Sequence, residues 1–80
     1  MRELLINAIG KADRGYWDDA HMIVQQIEDP VSYWLHANLH REEGDIDNAK
    51  YWYHRAVREY TEMAIEAERQ QILNLLKAEE

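Results

Sequence analysis

His36 and His40 lie four residues apart, with Glu43 three further on. On a helix that spacing sets ligating side chains on one face, as helical zinc sites do. His21 or His54 would complete such a set. The chain has no Cys, so thiolate ligands, disulfides and a cysteine nucleophile are excluded, and it holds no H-E-x-x-H. The same histidines also read as hydrogen-bonded side chains packed between helices, with Glu43 a solvent-facing residue at a helix end. That is the reading adopted, with no cofactor and no metal. A metal set of His36, His40, His21 and His54 is kept as the alternative. Four histidines also titrate near neutral pH, which would suit a proton switch.

Catalytic chemistry is otherwise poorly supplied. Ser32 is the only serine, no Gly-rich phosphate loop exists, and no pair of carboxylates sits in an apolar setting that would raise a pKa. The expectation is a protein that is not an enzyme. Binding chemistry is better supplied. Three Tyr-Trp pairs occur, at Tyr16-Trp17, Tyr33-Trp34 and Tyr51-Trp52. Adjacent helical residues diverge by about 100°, so the two mid-helix pairs place one ring toward the core and one outward or sideways. Trp34 or Trp52 could then be an exposed anchor, because Trp and Tyr are enriched at binding hot spots.

The 80 residues allow one domain, and 9 Lys+Arg against 16 Asp+Glu give a net charge of −7. An acidic chain is ill suited to phosphates, so neither nucleic acid nor an anionic membrane is expected as a partner. The sequence contains no long apolar run and no leader-like start, so no membrane span and a cytoplasmic location are expected.

These side chains must be positioned by helices. With 3 Gly and 1 Pro, and no segment of strict apolar–polar alternation, the chain reads as all-α. Helices are expected at about 2–13, 17–28, 30–43 and 46–58. Gly15 and Gly44 end the first and third, Pro30 opens the third, and Asp45 caps the fourth. Beyond Ala56 no Gly, Pro or Asp interrupts the chain. The fourth helix could therefore run on to about 77, or break near Tyr60 and Thr61, with Thr61 as an N-cap. Pairs such as Glu62 with Arg69 would decorate its exposed face. Ile65, Ile72, Leu75 and Leu76 need cover.

Gly15-Tyr16-Trp17-Asp18-Asp19-Ala20 aligns with Gly44-Asp45-Ile46-Asp47-Asn48-Ala49, 29 positions on. The chain is thus helix–turn–helix twice, then an extension. Residues 33–56 resemble a tetratricopeptide (TPR) repeat through Tyr33, Ala37, Gly44-Asp45, Ala49, Tyr53 and Ala56. Small residues at 37 and 49 would let paired helices approach, and Tyr53 would fill the gap. Residues 1–29 form a degenerate repeat, with Asn7, Lys11 and Ile27 at variance with the pattern. Residues 17–56 also resemble short uncharacterised bacterial proteins with a W-x-x-A-H … L-H-R-x-E-G-D-x-x-N-A-x-Y-W-Y-x-R-A signature.

The resemblance implies one TPR-like domain over 1–80, with 30–58 the better-matched repeat and 59–80 a capping or dimerisation helix. It implies a non-catalytic protein–protein interaction or scaffold module. Trp34, Asn38, Arg41 and Glu42 would line the inner face that holds a protein or peptide partner, and Trp52 would face the tail. Acidic Glu62, Glu66 and Glu68 would suit the polar outer face of a capping helix. A homodimer through that helix is the other use of its apolar stripe.

Overall fold

A computed structural model describes residues 1–79. Those residues form five helices and no strand: α1 (Arg2–Asp13), α2 (Trp17–Val24), α3 (Pro30–Glu42), α4 (Ile46–Arg55) and α5 (Ile65–Ala78). The all-α expectation therefore holds. No helix among the described residues is long and apolar enough to cross a membrane.

The helices pair as two hairpins, α1 with α2 and α3 with α4, and α5 lies against α3 and α1. Leu5, Ala8, Ile9 and Ala12 bury one stripe of α1 against Ala20 and Val24 of α2. Leu35, Ala37 and Leu39 fill the centre from α3, and Ala49 and Tyr53 close it from α4. Ile72 and Leu76 are the matching stripe of α5.

The helix ends explain the connections. Gly15 and Gly44 both have φ 88°. Each sits in a paired-bond turn. Gly15 and Tyr16 donate to the Ala12 and Lys11 carbonyls, and Gly44 and Asp45 to those of Arg41 and His40. That is the Schellman arrangement, which satisfies carbonyls left over at the end of a helix. The Asp45 carboxylate accepts from the Asn48 amide as an N-cap.

Helix α2 ends at Val24, four residues before the expected 28. Gln26 and Ile27 bond back only three residues, to Ile23 and Val24, which tightens the chain away from an α-helix. Asp29 is extended, as a residue before proline should be, and its carboxylate caps α3 through the Val31 amide. The Ser32 hydroxyl donates to the Val24 carbonyl at 2.9 Å, so the end of one helix is tied to the start of the next.

The helix after Ala49 is broken, not continuous. Val57 takes φ 58°, and Val57 and Arg58 donate to the His54 and Tyr53 carbonyls. This repeats the bond pattern of Gly15 and Gly44 with a β-branched residue at the left-handed position. Thr61 is not the N-cap of the last helix. Its hydroxyl accepts from the Met63 amide, and α5 starts after Ala64 with no side-chain cap.

A β-branched side chain at left-handed φ costs about 1–2 kcal/mol. Val57 is 87% exposed and offers little packing in return. Val57→Gly is therefore expected to stabilise the fold by about 1 kcal/mol. In a domain of this size that raises the melting temperature by roughly 4–8 °C, measurable by circular dichroism.

Candidate functional site

Trp34, Asn38 and Arg41 stand at i, i+4 and i+7 on α3, and their heads converge on one face. Trp34 is only 5% exposed, so it is not the exposed anchor the sequence suggested. The face it occupies is covered by α5 of the same chain. Glu68, 1% exposed, points inward from α5. Its two oxygens accept from Trp34 Nε1 at 2.9 Å, Asn38 Nδ2 at 2.8 Å, Arg41 Nη2 at 2.9 Å and the Tyr53 hydroxyl at 2.7 and 2.8 Å. The next residue, Arg69, is 2% exposed. Its Nε donates to Asn38 Oδ1 at 2.9 Å, and its other nitrogens pair with Glu42 and Asp13. Arg58 lays its guanidinium over the Trp34 ring, 3.3 Å from the centroid.

All four expected partner-binding residues, Trp34, Asn38, Arg41 and Glu42, are thus brought together, with α5 of their own chain on top. Two expectations for the tail are corrected. Glu68 is not part of a polar outer face, and Arg69 does not pair with Glu62 on an exposed surface. Both charges are buried because the face of α3 beneath them is polar. Their signal in the sequence was position: Ile65, Glu68, Arg69, Ile72 and Leu76 share one helical stripe, with two charges where apolar residues are expected.

Electrostatics follow the geometry. Burial alone would push the Glu68 carboxyl up. Hydrogen bonds from Asn38, Tyr53, Arg41 and Trp34 outweigh it and hold the group below its ordinary 4.5. Burial, reinforced by the bond to Glu68, pushes the Tyr53 phenol up, so Tyr53 stays a donor.

The opposite side of α3 carries a second polar cluster. His36 and His40 face α2 and α4, where one ring nitrogen of each and one of His21 lie within 4.8 Å of one another. His54 is exposed near the end of α4 and is not part of this group. His21 Nε2 and His36 Nε2 are 3.1 Å apart. His40 Nδ1 pairs with Glu43 at 2.6 Å. His36 Nδ1 is buried with no partner. Trp17 stacks on His21 with centroids 4.8 Å apart and donates from Nε1 to the Leu39 carbonyl at 2.8 Å. Trp52 stacks on His36 at 3.9 Å, so it faces the histidines and not the tail. Burial, helped by the neighbouring His21 and His40, lowers His36 to about 3. His21 is also lowered, chiefly by burial.

No protein-family model, curated protein or solved structure matches the chain.

Removing the Glu68 carboxylate would take an acceptor from four buried donors, one of them a guanidinium nitrogen; among the described residues only Asn38 Nδ2 keeps another, the Ile65 carbonyl. Glu68→Ala is expected to cost about 3–5 kcal/mol, measured by urea unfolding followed through tryptophan fluorescence. The sign with pH follows from a folded pKa below the unfolded one. The contribution of Glu68 is complete above about pH 4.5 and is lost as pH falls through the lower folded value. Glu68→Gln should flatten the acid limb of the stability curve in that range.

Proposed function

We propose that this protein is a non-catalytic helical interaction module of the TPR kind, whose recognition face on α3 is occupied by its own C-terminal helix. One observation carries the reading: four donors from α3 and α4 converge on a single buried carboxylate, Glu68. Such a convergence is built to read a helix that carries an acid at one defined position. Arg41 and the Asn38 amide give it charge and direction, and Trp34 gives it an apolar wall. Glu42 and Asp13 add a site for a cation one residue further along.

A partner of the same chemistry, a helix bearing Glu then Arg above an apolar stripe, would compete with α5 for this face. The α5 of a second copy would make the same contacts in a swapped homodimer. Residues 57–64, which lie outside any helix, form the connection that such an exchange must re-aim. The acidic, Cys-free composition supports a cytoplasmic setting.

Displacement tests the reading. Ile72→Ala with Leu76→Ala loosens α5 while leaving every buried charge paired. This variant is titrated with a peptide of residues 64–79, and tryptophan fluorescence is followed. Saturable binding is expected, at least about tenfold weaker when the peptide carries Gln at the Glu68 position. Binding that ignores that substitution would sink the proposal. Sedimentation of the intact chain over a range of concentrations reports exchange between copies.

A further inference from the structure

We propose that His21, His36 and His40 form a three-histidine site for a divalent transition-metal ion of the zinc class. The three rings come from two helices, His21 from α2 and the other two from successive turns of α3. Each has a nitrogen within 4.8 Å of the others. The contact between His21 Nε2 and His36 Nε2, at 3.1 Å, is the telling distance. Two nitrogens bound about 2.05 Å from one tetrahedral zinc stand roughly 3.3 Å apart. The two rings therefore already sit at about the separation that a shared ion imposes.

The surroundings separate this arrangement from ordinary packing. A buried imidazole is normally satisfied by a carbonyl or a carboxylate. Among the described residues, the only polar contact of His36 is another imidazole, and its Nδ1 has none. Glu43 takes His40 Nδ1 at 2.6 Å, which leaves Nε2 as the nitrogen His40 can offer. A carboxylate behind a histidine in this way fixes the tautomer and raises the ring's basicity as a ligand. The stacks of Trp17 on His21 and Trp52 on His36 restrict ring rotation, so the ligands are held before any ion arrives. An all-imidazole donor set suits zinc, copper(II) or nickel(II) and not magnesium or calcium. Three protein ligands leave a fourth position for water, on the side where His21 is half-exposed.

The test uses the full chain, untagged and stripped with a chelator, titrated with Co²⁺ and then with Zn²⁺. Expected are the visible bands of tetrahedral cobalt saturating at one equivalent, their displacement by zinc, and a rise in melting temperature with either ion. Glu43→Gln, at an exposed position, should weaken zinc about 10- to 100-fold. His21→Gln, half-exposed, should weaken it at least as much. His54→Gln should leave affinity unchanged. Circular dichroism of each variant without metal checks that it is folded. The proposal is overturned if neither ion binds the wild-type chain at one equivalent. It is equally overturned if folded His21→Gln binds like wild type, or if His54→Gln abolishes uptake.

Discussion

A carboxylate taken out of water must find charge and hydrogen bonds worth several kcal/mol, or it will not stay buried. Glu68 meets that condition only when α5 is docked at one register. Trp34, Asn38 and Arg41 reach it from α3, and Tyr53 reaches it from α4, so its partners come together only in the assembled second hairpin. Arg69 ties the same turn to Asn38, to Glu42 and, across the domain, to Asp13 of α1. A slip of one residue along α5 would place Ala67 or Arg69 among the donors and leave Arg41 without its carboxylate. Ile72 and Leu76 supply apolar burial that many registers could supply, and the buried charges select among them. An ionic cluster of this kind adds little net stability against an apolar replacement, but it discriminates strongly between arrangements.

The hairpins were legible in the sequence because their punctuation is local. Gly15, Gly44, Pro30 and Asp45 each act within a few residues, and helix ends respond to such signals directly. A break was legible only as an alternative near Tyr60 and Thr61; its start at Val57 was not, because Val57 occupies the left-handed position that glycine holds at the other two turns. Nothing in the residue itself announces that role. The tertiary contacts of α5 require the chain to turn there, and the strain at Val57 is carried by them. The early end of α2 is likewise held by a tertiary contact: the Val24 carbonyl accepts both the Ile27 amide and the Ser32 hydroxyl, the latter eight residues away and absent from local propensity.

The candidate site was half legible. The resemblance to a TPR repeat put Trp34, Asn38, Arg41 and Glu42 on one face and implied that they receive a partner. The occupant could not be named, because Glu68 and Arg69 sit in a tail of similar charged residues. Their membership of the Ile65, Ile72 and Leu76 stripe is the only mark. Histidine spacing likewise placed His36 and His40 together, while the choice between His21 and His54 as neighbour depended on how the first hairpin packs on the second. That packing puts α2 against α3, and His21 with it.

Both polar clusters are built on α3, and this explains an otherwise odd helix. Every residue from Trp34 to His40 is buried, although four of those seven are Trp, His or Asn. A helix surrounded on all sides is normally apolar all round. Here each polar head has a designated neighbour. At about 100° per residue, His36 lies roughly 200° around the helix from Trp34, so the histidine cluster and the Glu68 network point in opposite directions. Leu35, Ala37 and Leu39 separate them and hold the spacing. The two clusters are therefore anchored on the same rigid element without sharing a side chain. Anything that fixes α3 in place, whether α5 on one side or the histidine stack on the other, also positions the side chains of the opposite face. Coupling between the two faces would travel through the position of one helix, and no chain of hydrogen bonds across the core is needed to carry it.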